Sequence, residues 1–239
     1  IASVYAKAPF ESQTAAQKKK KPSADRGAAA PVRKGDHLFI LSGQSNMVAM
    51  DPKVSFTPAI HKEFGADKVI IVKKAWGGCP ISQWYKQWKP KPNAAVAKGN
   101  GKYYDELMVN VNNAIKGKKL ATVTLVWMQG EFDANRGRHN AYKDSLAGLI
   151  KQFSDDMERD DLNFVIGRLS DCGLRGGGAP KWKIVREAQV AVAEESPRGE
   201  WIDTDDMNGP GNGLHMTPEG YVEMGKRFAG KAIELIKGK

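Results

Sequence analysis

Cysteine and histidine are scarce in this sequence. Cys79 and Cys172 are its only cysteines and form no Cys-x-x-Cys pair, which excludes a disulfide framework and the common zinc and dithiol motifs. Both follow apolar runs, a placement compatible with two buried free thiols or with a single bridge. The four histidines form no His-Glu-x-x-His pattern, and no glycine-rich loop ends in Lys-Ser or Lys-Thr. Metalloprotease and phosphate-loop chemistry are therefore not expected, and no metal or cofactor is called for. No apolar run approaches the roughly 18 residues that cross a bilayer, so no membrane partner is expected. Acidic residues are also in deficit, with 27 Asp and Glu against 37 Lys and Arg and a net charge of +10.

Part of that surplus is local. Lys18 to Lys21 form a block inside an Ala-, Pro- and Ser-rich stretch, so residues 1–35 read as a basic, flexible arm. The other lysines spread over predicted helices, and no helix-turn-helix, zinc-finger or RNA-recognition signature accompanies them. A nucleic-acid partner is not expected, although the charge favours anionic partners such as acidic polysaccharides. The first residues show no charged start followed by an apolar stretch, and the first is not Met. A secreted or periplasmic location is expected if a signal peptide was removed. Oligomeric state has no signature here.

What is present is enough for one well-filled domain over residues 36–239, since 41% of the chain is hydrophobic. Apolar runs begin at His37-Leu38-Phe39-Ile40-Leu41 and recur at 69–72, 122–127 and 163–167, with a shorter one at Trp201-Ile202-Asp203. Helical periodicity fills the gaps at 104–115, 141–157 and 181–195. A last helix, predicted from Pro218 to Ile236, has Thr217 as its cap. Strands that are apolar throughout and alternate with helices imply an α/β fold with a parallel sheet covered on both faces. In such a sheet, chemistry belongs beyond the carboxyl ends of the strands.

The candidate residues fall there. Ser42-Gly43-Gln44-Ser45-Asn46-Met47 follows the first run, and the glycine in this turn can expose the Ser45 hydroxyl and leave room for substrate. Ala75-Trp76-Gly77-Gly78 follows the second, its paired glycines letting backbone N–H groups approach a ligand. Trp127-Met128-Gln129-Gly130-Glu131-Phe132-Asp133 follows the third, and His215 sits in a glycine-rich loop just before the last helix. Trp84, Tyr85 and Trp88 follow the second motif and read either as a platform for a sugar ring or as packing of that loop. Arg136, Arg138 and Arg175 could attract a carboxylated sugar.

Gly-Gln-Ser-Asn-Met, then Gly-Gly, then Gln-Gly-Glu-x-Asp, then a late His before a helix resembles the SGNH hydrolases. Within them the pattern is similar to the sialate O-acetylesterase and carbohydrate esterase family six branch, which is acetylxylan esterase-like. The resemblance runs from about residue 37 to the C-terminus. It implies a three-layer flavodoxin-like fold with a five-stranded parallel sheet, and hydrolysis of small acyl esters, usually acetyl groups on carbohydrates. It makes Ser45 the nucleophile and His215 the base, with the backbone of Ser45 and Gly78 and the side chain of Gln129 as oxyanion donors.

One position departs from the pattern. The family commonly carries Asp three residues before its catalytic His, and this chain has Asn212. An amide cannot stabilise an imidazolium as a carboxylate does. Glu131 could be the orienting acid, Asp203, Asp205 or Asp206 could reach His215, or Asn212 could deamidate beside Gly213. The reading from another class is a non-catalytic carbohydrate-binding protein that kept the fold and lost its triad.

Overall fold

The apolar runs all become strands of one sheet. The structure, a computed structural model, describes residues 33–238. The strands are β1 (Asp36–Gly43), β2 (Val69–Lys73), β3 (Leu120–Met128), β4 (Asn163–Gly167) and β5 (Gly199–Ile202). They pair in parallel in the order β2-β1-β3-β4-β5. The chain crosses over through α2 (Phe56–Phe64), α3 (Lys102–Ile115), α5 (Tyr142–Asp156) and α6 (Ala179–Glu194), and ends in α7 (Pro218–Lys237). Two single-turn helices, α1 (Ser45–Ala49) and α4 (Glu131–Asn135), follow β1 and β3 directly.

Right-handed crossovers from this strand order send α2 to one face of the sheet and α3, α5 and α6 to the other, and α7, after the last strand, packs against α2. Both faces are thus covered, and β1 and β3 are buried along nearly their whole length. Phe39 of β1 meets Phe56 of α2 edge to face at 5.6 Å, and Trp127 of β3 meets Trp84 at 5.2 Å. Each face therefore has an aromatic contact locking helix-side residues to a central strand.

The expected strands and the four expected helices form, with ends displaced by one or two residues. Thr217 caps α7 as expected, its hydroxyl accepting from the Gly220 N–H at 3.0 Å. Three helices were not anticipated: α1, α2 and α4. Cys79 is buried, Cys172 partly so, and both are free thiols. The Lys-rich arm expected over residues 1–35 lies, but for its last three residues, outside the described residues. No described helix is long and apolar enough to cross a membrane.

The sheet order reverses between β1, whose chain leaves toward β2, and β3, whose chain leaves toward β4. Crossovers on opposite sides open a crevice at that point, beyond the carboxyl ends of both strands. Every short motif of the sequence analysis opens into this crevice or borders it.

Candidate active site

Ser45 is the first residue of α1, immediately beyond β1. Gly43 makes that position possible, though not by giving the substrate room. With φ +143° it brings its backbone against β3, and a Cβ there would sit 1.9 Å from the Met128 carbonyl oxygen. The Gln44 N–H then donates to that same oxygen at 2.8 Å. Gln44 extends the stitching through its side chain, which accepts from the Gly130 and Phe132 N–H groups at 3.4 and 3.3 Å. The Ser45 turn and the third motif are thereby held together as a single piece.

His215 arrives from the opposite side, on the loop between β5 and α7. Its Nε2 lies 3.0 Å from Ser45 Oγ, within reach for proton transfer. The loop is pinned from within: the Asn208 amide donates to the Gly213 carbonyl, and the Thr217 N–H donates to the Met207 carbonyl at 3.0 Å. It is pinned to the Ser45 helix by Asn46, which is almost fully buried. The Asn46 amide donates to the Leu214 carbonyl at 3.2 Å and to Glu131 Oε1 at 2.8 Å, while its oxygen accepts from the Tyr221 hydroxyl at 3.1 Å. One side chain thus ties the Ser45 helix, the His215 loop, the third motif and α7.

The carboxylates proposed for His215 are placed as follows. Asp203, Asp205 and Asp206 are all held by arginines: Arg168 with the first two, Arg186 with Asp205 and Arg227 with Asp206, at 2.6 to 2.9 Å. Asn212 turns its amide to Asp171 Oδ1 at 2.8 Å. Glu131 bonds Asn46, and its Oε2 is buried with no partner. Among the described residues no carboxylate accepts from His215 Nδ1. Burial pushes the Glu131 carboxyl up to about 7, against the pull of the backbone N–H groups and Asn46 that favour its charged form. Burial likewise raises Asp133 to about 6, opposed first by the Gln129 amide.

The loop after β2 completes the edge. The N–H groups of Lys74 and Trp76 donate to the Leu41 and Gly43 carbonyls at 3.0 and 3.1 Å, drawing the loop along the β1–α1 junction. Gly77 and Gly78 are exposed, and a Cβ added to either would meet open space. The Gly78 N–H has no acceptor among the described residues. Neither has that of Ser45, since a first helical residue has no preceding turn to bond to. Gln129, expected as a third donor, is fully buried, and its amide donates to the Cys79 carbonyl at 3.0 Å and to Asp133 Oδ2 at 2.6 Å.

The aromatic platform is corrected by the structure. Trp84 is fully buried with its indole N–H on Ser42 Oγ at 2.9 Å, and Trp88 is 8% exposed beneath the Arg138 guanidinium. Tyr85 lies on α5, where a Cβ at Gly148 would come 2.4 Å from its ring. The segment faces the core because its backbone is bound by Gln152 of α5 at 3.0 Å on both sides of Tyr85. Of the arginines, Arg138 donates to Ser82 and Arg136 lies over Phe132, near the crevice, whereas Arg175 is exposed. Among the described residues no group of three or more His, Cys, Asp or Glu converges as a metal site.

Gln44, Asn46 and Tyr221 carry much of this geometry and were not singled out from sequence. The first two lie inside the Gly-Gln-Ser-Asn motif, and their uncharged polar side chains at a strand end were the available signal.

Residues 48–234 match the sequence model described as carbohydrate esterase, sialic acid-specific acetylesterase. No curated protein matches the chain. Among solved structures, a protein from Arabidopsis thaliana superposes with a TM-score of 0.66 at 18% identity, over 84% of this chain and 99% of that one. A carbohydrate acetylesterase from Xanthomonas citri gives 0.61 at 18% identity, over 84% of this chain and 56% of that one. A member of the lipolytic G-D-S-L family from Veillonella parvula gives 0.51 at 17% identity, over 83% and 97%. At these identities the likeness is one of fold, the three-layer α/β arrangement of the GDSL, or SGNH, hydrolases.

Proposed function

The chain belongs to the carbohydrate esterase, sialic acid-specific acetylesterase family, and from that premise we propose a serine esterase that removes acetyl or other small acyl groups from carbohydrates through an acyl-enzyme. The observation that carries this reading is the 3.0 Å approach of His215 Nε2 to Ser45 Oγ at the point where the sheet order reverses. His215 takes the Ser45 proton as Oγ bonds to the ester carbonyl carbon. The negative oxygen rests on the N–H groups of Ser45 and Gly78. The sugar oxygen then leaves with the proton from His215, and water, deprotonated by the same imidazole, adds to the acyl-enzyme. Acetate departs and Ser45 recovers its proton.

Glu131 is the acid of this scheme, and it acts on His215 through Asn46. Its carboxylate orients the Asn46 amide, whose second N–H fixes the carbonyl of Leu214, the residue before His215. The substrate is an acetylated carbohydrate. The neighbouring Phe132 and Arg136 offer a rim where a sugar could rest.

The test compares wild type with Ser45→Ala on p-nitrophenyl acetate and on acetylated sialic acid and xylo-oligosaccharides. Wild type is expected to turn over the aryl ester and at least one sugar, and Ser45→Ala to lose at least about 10³-fold. Equal rates on all substrates would instead favour the non-catalytic carbohydrate-binding reading, which Asn212 at the family's usual Asp position supports.

A further inference from the structure

Gln129 and Asp133 are both 0% exposed, so neither meets a substrate without rearrangement. We propose that together they clasp the base of the Gly78 loop and set its distance from Ser45, acting as positioning residues for the oxyanion site; this rests on the esterase reading above. Asp133 Oδ2 accepts from the Ile81 N–H at 2.9 Å and from the Gln129 amide at 2.6 Å. The same amide donates to the Cys79 carbonyl at 3.0 Å. The two backbone groups gripped flank Pro80 and directly follow Gly78. Both N–H donors of the Gln129 amide are spent on this grip.

The clasp stands on a fixed base. The Gln129 carbonyl accepts from the Tyr142 hydroxyl at 2.6 Å and from Gln189 at 2.8 Å, so its backbone is bound from α5 and α6. The loop's other anchors lie on either side of the glycines: the Trp76 ring stacks on Tyr103 at 4.3 Å and meets Trp84 edge to face at 5.9 Å, and Cys79 is buried. Gly77 and Gly78 touch nothing that a Cβ would meet. Before them the Trp76 N–H is tied to the Gly43 carbonyl, and the Cys79 thiol reaches the Gly77 carbonyl. Swinging Gln129 out to meet an oxyanion would break both of its amide bonds and leave Asp133 buried with a single donor, a costly exchange.

A double-mutant cycle on p-nitrophenyl acetate separates the two roles for Gln129. The variants are Gln129→Leu, Asp133→Leu, which removes the acceptor, and the pair, read as kcat, KM and the affinity of phenylboronic acid, which bonds Ser45 and places an oxygen in the oxyanion site. Each single variant is expected to lower kcat and boronate affinity in step by about 10- to 100-fold, with KM within about threefold. The double variant should be no worse than either single, because both break one unit. An Asp133→Leu enzyme within about threefold of wild type, or losses that multiply in the double variant, would overturn the clasp in favour of direct donation by Gln129. Boronate binding that wild type and Ser45→Ala share would instead overturn the esterase reading itself. Amide exchange in the wild type supplies a check that needs no variant: the Ile81 N–H should be protected like the sheet interior, and exchange at the rate of an open loop would remove the clasp.

Discussion

Two groups of acidic residues lie just beyond the carboxyl ends of strands, and the protein keeps them in opposite ways. After β5, Asp203, Asp205 and Asp206 each face a guanidinium at 2.6 Å. After β3, Glu131 and Asp133 are nearly or fully buried, bond only to amides and backbone N–H groups, and each leaves one oxygen bare. Burying a carboxyl without a cation costs stability, and a protein keeps such an arrangement where chemistry or its geometry needs it. The paired acids hold the His215 loop to β4, α6 and α7. The unpaired acids hold the Ser45 helix, through Asn46, and the Gly78 loop.

The difference predicts stability effects of opposite sign. Arg186 is 8% exposed and donates to both Asp205 and the Leu169 carbonyl. Arg186→Ala strips one cation from Asp205 and leaves a buried carbonyl without that donor, so urea unfolding should show a loss of about 3 kcal/mol. Turnover per folded molecule should stay within about threefold. A large fall in kcat without loss of stability would mean that the paired acids serve the chemistry after all.

Glu131→Gln should do the reverse. The Glu131 carboxyl, lifted by burial from 4.5 to about 7 in the folded chain, is protonated in both states below pH 4.5 and costs nothing there. Between pH 4.5 and 7 the unfolded chain ionises while the buried group resists, so stability falls across that window, and above 7 both states are ionised and the loss is complete. The variant keeps the shape and the acceptor for Asn46 but never ionises. It should therefore match wild type at pH 4, gain between pH 4.5 and 7, and level off up to about 3 kcal/mol more stable. Asp133 titrates in the same window but is present in both proteins and cancels. Activity should move the other way, by about tenfold at pH 8, because the charge that orients Asn46 is gone. Parallel unfolding curves from pH 4 to pH 8 would show that the Glu131 environment does not disfavour its charge.

The contrast between the two groups could not be read from the sequence. Apolar runs and periodicity gave the strand order its raw material, and the β1 and β3 motifs fell at strand ends because a parallel sheet exposes its loops there. Asp203, Asp205 and Asp206 stand far nearer to His215 along the chain than Glu131 does. What removes them is Arg168, Arg186 and Arg227, which come from three other segments and carry no local signal. The same limit hid the fate of the tryptophans. Trp84 and Trp88 sit in a Pro- and Lys-rich stretch that looks exposed, yet Gln152, far along the chain, binds its backbone and turns it inward. Gly43 was legible as a glycine of the nucleophile turn, but its reason is the backbone of β3 at its Cβ position. Such contacts depend on pairings between distant segments, and one sequence does not print them.

The smallest effect belongs to the most exposed pair. Asp206 is 63% exposed as a side chain and faces Arg227, which Glu223 also holds. Asp206→Asn should change stability by less than about 1 kcal/mol, and less still in about 1 M salt. Its kcat should equal that of wild type, since the carboxylate is turned to α7 and away from His215. A fall of tenfold or more with unchanged stability would mean that the His215 loop rearranges during turnover to bring this acid to Nδ1. The division between the two groups of acids would then hold only before substrate binds, and Glu131 would cease to be the one acid proposed to act on the histidine.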